Sequence, residues 1–158
     1  MAEKKILIVD FDKRSLDTLA ELLEPHNFTM IKAMDGAEAY EKFKAEDPDL
    51  VILEAMLPKL HGFDLTHRIY KETKGKVPII IITSVYKGHQ YRSEALRNLG
   101  ATEYFEKPYD KEKLLESVLK LVKDEAEKEE DITEIQGLPS EEMVIKNLSQ
   151  RIKKHSAS

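Results

Sequence analysis

The chain has 158 residues, 41 % hydrophobic and 35 % charged, with 25 Lys and Arg against 30 Asp and Glu for a net charge of −5. That length predicts one domain with an appendage, and the apolar fraction suffices for a core. The acidic balance argues against a nucleic-acid face, the absence of cysteine removes disulfides, thiolate zinc sites and cysteine nucleophiles, and no apolar run approaches the roughly 20 residues of a membrane span. The opening Met-Ala-Glu-Lys-Lys is not a signal peptide, so a cytoplasmic protein with no nucleic-acid or membrane partner is expected.

Ile6 to Val9 is the first of five short, β-rich apolar runs. Leu16, Leu19 and Leu23 then fall on one face of a helix that Asp12 can cap. Phe28 to Ile31 is a weaker run, followed after Gly36 by a helix marked by Ala39, Tyr40 and Phe43. Leu50 to Leu53 precedes a helix over Phe63 to Tyr70, and Val77 to Ile82 precedes a helix from Tyr91 to Leu99 that Gly100 ends. Ala101 to Phe105 is an edge-like run, and Leu114, Val118, Leu121 and Val122 define the fifth helix. The first, third and fourth runs are continuously apolar, as parallel strands covered on both faces are. Fivefold strand–helix alternation predicts an α/β fold, a doubly wound five-stranded parallel sheet, over residues 4–122. Residues 123–138 read as an acidic helix extension or linker. Residues 139–155 read as an amphipathic C-terminal helix with Ile145, Leu148 and Ile152 on its apolar face.

Ligands on such sheets sit outside the carboxyl ends of the strands. Asp10 follows the first strand, Glu54 the third, Thr83 and Ser84 the fourth, and Lys107 the fifth. Brought together, these groups suit an oxyanion held by an ammonium and a hydroxyl, with carboxylates for a divalent cation. The five histidines show no metal-ligand spacing, and His61 reads as a surface or loop residue.

The stretches Lys5 to Asp10, Asp35 to Ala39, Pro48 to Glu54, Leu57 through Gly62, Pro78 to Ser84 and Gly100 through Pro108 resemble a response-regulator receiver domain. The resemblance covers about residues 4–122 and implies a CheY-like, flavodoxin-like sheet in order 2-1-3-4-5. It also implies an aspartate phosphoacceptor at the end of strand three. Magnesium would be held by that aspartate, an acidic pair after strand one, and a carbonyl two residues past the acceptor. A strand-four hydroxyl and an aromatic three residues before the lysine would form a switch, the ring turning inward as the hydroxyl moves to the phosphoryl group. Carried onto this chain, Glu54 stands at the acceptor position and Asp10-Phe11 at the acidic pair. Met56 supplies the carbonyl, Thr83 (with Ser84 beside it) the hydroxyl, Tyr104 the aromatic and Lys107 the lysine.

Two of three acidic positions depart from the family pattern. Glutamate moves its carboxylate outward by about 1.3 Å, and a misplacement of roughly 1 Å can cost about a hundredfold in an in-line transfer. Phe11 removes a charge and two oxygen ligands from a cation that demands near-octahedral oxygen geometry. Asp12 either caps the first helix, the preferred reading, or replaces the missing carboxylate while Phe11 turns into the core. Tyr104 taken alone reads as a half-buried ring with its hydroxyl in water. The expectation is a pseudo-receiver acting by protein–protein interaction, with no catalytic residue and no cofactor beyond weakly held magnesium at Asp10, Glu54 and the Met56 carbonyl. Its partners would be signalling proteins, a histidine kinase or a second copy among them. They would meet a face bearing Lys87, Tyr91, Arg92, Arg97, Tyr104 and Tyr109, with the C-terminal helix. The alternative is a working phosphoacceptor that uses the altered pocket.

Overall fold

A computed structural model describes residues 3–123; the acidic extension and the C-terminal helix expected beyond them lie outside the described residues. Five parallel strands, β1 (Lys5–Val9), β2 (Thr29–Ala33), β3 (Leu50–Glu54), β4 (Ile79–Thr83) and β5 (Glu103–Glu106), form one sheet in the order β2-β1-β3-β4-β5. Every residue of β3 and β4 is buried, which is why those runs are apolar at every position rather than at alternate ones. Side-chain alternation divides the core in two. Ile6, Ile8, Leu50, Ile52, Ile80 and Ile82 pack with α1 (Lys13–Leu23) and α5 (Lys111–Leu121). Leu7, Val9, Val51, Leu53, Ile79 and Ile81 pack with α2 (Gly36–Glu46) and α3 (Gly62–Thr73).

Of the element boundaries that differ from the sequence reading, three have a clear local reason. The second strand begins at Thr29, because a 3-10 turn over Glu24–His26 ends on Asn27 in the left-handed region. The fifth begins at Glu103, after the Thr102 hydroxyl has accepted the Ile79 N–H at 3.0 Å. The fourth helix is a short α4 (His89–Glu94) running into a π turn over Ala95–Leu99. Gly100 closes that turn at φ 90°, and a Cβ there would lie 2.2 Å from the Tyr70 ring, so both backbone and space require glycine.

The register brings Val9, Leu53 and Ile81 side by side, so β1, β3 and β4 deliver their last residues to one edge. The order reverses between β1 and β3, and the crevice of a doubly wound sheet opens there. Gly62 lets the start of α3 lie on this edge: a Cβ would meet the Glu54 and Ala55 carbonyl oxygens at 2.5 Å. Gly62→Ala is therefore expected to destabilise the fold by about 2 kcal/mol through backbone displacement, measured as a lowered denaturation midpoint with an unchanged slope.

Candidate functional site

Lys107 is anchored by its own N–H, which donates to the Thr83 carbonyl at 2.8 Å. Its side chain crosses the edge of β4 and β3, and its Nζ lies 2.8 Å from Asp10 Oδ2 and 3.1 Å from Glu54 Oε1. The same ammonium donates to Ser15 Oγ at 2.8 Å, so all three of its hydrogens have partners. Asp10 is 5 % exposed and Glu54 1 %, so two buried carboxylates share one cation. Their remaining oxygens are also engaged. Asp10 Oδ1 accepts the Asp12 N–H at 3.0 Å, and Glu54 Oε2 accepts the Met56 N–H at 3.2 Å. Ser84 Oγ adds a longer bond of 3.3 Å to Glu54 Oε1. Burial works against the Lys107 charge, but the hydrogen bonds and charges of Asp10 and Glu54 outweigh it and hold the ammonium above the ordinary lysine range.

Thr83 and Tyr104 belong to a neighbouring network. The Thr83 hydroxyl is buried and accepts the N–H groups of Val85 and Tyr86 at 3.1 and 2.8 Å, which fixes the loop after β4. Tyr104 is 2 % exposed, and its hydroxyl donates to the Tyr86 carbonyl at 2.5 Å. The half-buried ring with a hydrated hydroxyl is thus corrected: the ring packs toward Phe63 and its O–H finds a main-chain acceptor in place of water. Burial, reinforced by the Glu106 charge, pushes the Tyr104 phenol up to about 12. Arg92 Nη1 donates to the Tyr104 carbonyl at 2.6 Å and ties α4 to β5.

Asp12 caps α1, its carboxylate accepting the Arg14 N–H at 3.1 Å. Phe11 is 44 % exposed, so a ring turned into the core, which the Asp12 alternative required, is not what the structure has. His61 is corrected too: the surface or loop residue is half-buried and caps α3. Its Nδ1 accepts the Phe63 N–H at 3.1 Å, leaving Nε2 to donate to the Tyr86 hydroxyl at 3.1 Å. The ring also packs 5.1 Å from Phe63 and 5.2 Å from Tyr86. His61 therefore adjoins the loop whose carbonyl receives Tyr104. Its position just before a helical Gly62 was the available signal, but histidine is not among the common capping residues.

The chain matches the response regulator receiver domain family over residues 6–119 and belongs to it. It is 31 % identical over 115 residues to Protein PilH of Pseudomonas aeruginosa, covering 72 % of this chain and 93 % of that one. To the alkaline phosphatase synthesis transcriptional regulatory protein PhoP of Bacillus subtilis it is 38 % identical over 107 residues, 67 % of this chain and 43 % of that one. A CheY-like receiver domain protein from Methanospirillum hungatei superposes with a TM-score of 0.71 at 31 % identity, covering 81 % of this chain and 99 % of the other. The chain spans about half the length of several curated relatives, 43 %, 50 % and 52 % of three of them. Receiver domains are signalling modules that interact with histidine kinases and partner proteins and bind Mg2+ at their acidic pocket. Among the described residues, no helix is long and apolar enough to cross a membrane.

Removing the shared cation should be costly. Breaking a fully buried pair costs about 3–5 kcal/mol, and because Lys107 keeps part of its side chain in water we expect about 2 kcal/mol for Lys107→Ala at neutral pH, measured by denaturant unfolding. Because the folded value lies above the unfolded one of about 10.4, this contribution is complete below that pH. It is lost as pH rises through the folded value. Spectrophotometric titration should likewise find one tyrosine ionising near pH 12, well above the ordinary ~10, and missing from Tyr104→Phe.

Proposed function

We propose that this chain is a pseudo-receiver, a receiver that signals through protein contact without phosphorylation at the acceptor position. The observation that carries it is the engagement of Glu54. Its side chain is wholly buried, Oε1 faces the Lys107 ammonium and the Ser84 hydroxyl, and Oε2 faces the Met56 N–H. In-line phosphoryl transfer needs a nucleophilic oxygen aimed at the donor and a cradle for the developing charge. Here the oxygen that would attack is turned onto the cation that would form the cradle.

The donor set fits magnesium poorly. Asp10 and Glu54 are the carboxylates at this edge, the Lys107 ammonium stands between them, and exposed Phe11 holds the position of the third. Among the described residues no group of three or more His, Asp or Glu side chains converges as an ion site. Mg2+ requires near-octahedral oxygen coordination, and a cation already lodged between both carboxylates repels it.

Signalling then rests on shape. With Tyr104 turned inward and hydrogen-bonded to the Tyr86 carbonyl, its ring leaves the face built by α4, β5 and α5, while Tyr91 remains 42 % exposed there. In the family an inward ring accompanies the activated arrangement. Here the ring is inward while the Thr83 hydroxyl stays on the Val85 and Tyr86 N–H groups, so the loop after β4 holds the ring. The partner would be a protein of a cytoplasmic signalling pathway, a histidine kinase or a second copy among the candidates. The longer curated relatives are named as transcriptional regulators.

A small phosphodonor with Mg2+ should add no mass to the wild-type chain over hours, as read by intact-mass spectrometry. The double variant Glu54→Asp, Phe11→Asp should gain one phosphoryl group, because it shortens the acceptor and completes the acidic pair. A wild-type gain that disappears in Glu54→Ala would establish the alternative, a working phosphoacceptor.

A further inference from the structure

Several lysines of the described surface are neutralised: Lys13 pairs with Asp17, Lys42 with Glu38 and Lys59 with Asp35. Arg14, Lys87 and Lys111 are set apart by where they meet. Among the described residues none of the three forms an ion pair, yet all three line one groove of about 460 Å3. They come from separate elements, Arg14 from α1, Lys87 from the loop after β4 and Lys111 from the start of α5. In a chain with a net charge of −5, three unpaired cations around one concavity invert the local field. Asp12 is the carboxylate of the lining, and its Oδ1 is spent on the α1 cap. Lys107 reaches the groove as well, but its charge is more than offset by the two carboxylates of Asp10 and Glu54.

We infer that this groove is a non-covalent binding site for a nucleoside diphosphate. Cations placed on three sides favour an anion with more than one phosphoryl group. Ser15 accepts from Lys107 and so keeps its own O–H to donate, and the Thr18 hydroxyl lies in the same lining. Pro108 and the half-buried ring of Tyr109 supply an apolar wall on which a base can lie. The volume falls within the roughly 300–1,000 Å3 of small-molecule sites and exceeds what inorganic phosphate needs. Binding here uses Arg14, Lys87 and Lys111, none of which belongs to the Asp10–Glu54–Lys107 cluster. Its failure would leave the reading of Glu54 untouched.

Calorimetric titration of the full chain with ADP, without divalent cations and at low salt, tests the assignment. Saturable one-to-one binding is expected. It should weaken about fivefold to tenfold in each of Arg14→Gln, Lys87→Gln and Lys111→Gln, the scale of one charge-assisted contact. Lys76→Gln, an exposed lysine outside the groove, should leave it unchanged. Pyrophosphate should bind more weakly than ADP, since it lacks the base. Absence of saturation, an equal loss in Lys76→Gln, pyrophosphate binding as tightly as ADP, or a mass gain that survives dialysis would each overturn the proposal.

Discussion

A single ammonium between two buried carboxylates governs the functional edge of this protein. Asp10 and Glu54 are almost without solvent, and each would be expensive to hold as a charge if unpaired. Lys107 meets both at hydrogen-bond distance, and Ser15, Asp12 N–H, Met56 N–H and Ser84 make the cluster's other hydrogen bonds. The contacts that stabilise the cluster are the ones a new ligand would have to displace. An added methylene at position 54 keeps the charge of the family's aspartate while extending the carboxylate toward the lysine.

The scaffold makes this meeting unavoidable. Parallel strands in the order β2-β1-β3-β4-β5 end at one edge, and the reversal between β1 and β3 opens the crevice that Asp10 and Glu54 line. The tight approach of α3 at Gly62, against the carbonyls of Glu54 and Ala55, holds the floor of that crevice. A second network runs alongside it: His61 caps α3 and meets the Tyr86 hydroxyl, the Thr83 hydroxyl pins the Val85 and Tyr86 N–H groups, and the Tyr86 carbonyl receives Tyr104. One loop thus joins the start of α3 to the buried ring of β5.

Much of this was legible in the order of residues. Continuous apolar runs announced β1, β3 and β4 because strands covered on both faces need no polar side, and the strand-end rule pointed to Asp10, Glu54, Thr83, Ser84 and Lys107, of which the Thr83 hydroxyl turns instead to the Val85 and Tyr86 N–H groups. What escaped the sequence was orientation. A tyrosine at an edge strand reads the same whether its ring faces solvent or core, and only the acceptor at Tyr86 decides it. The capping role of His61 was hidden because imidazole rarely serves there, and the exposure of Phe11 because aromatic character usually signals burial. The π turn of Ala95–Leu99 ends on Gly100, which lies against Tyr70, thirty positions upstream, a contact that no local pattern carries.

The most direct test is a crystal structure of the chain grown with Mg2+ and beryllofluoride, the mimic of an acyl-linked phosphoryl group. Lys107 should remain bonded to both Asp10 and Glu54, with no beryllium on either carboxylate. A six-coordinate magnesium beside a beryllofluoride joined to Glu54, with Lys107 swung onto the fluorides, would contradict the account.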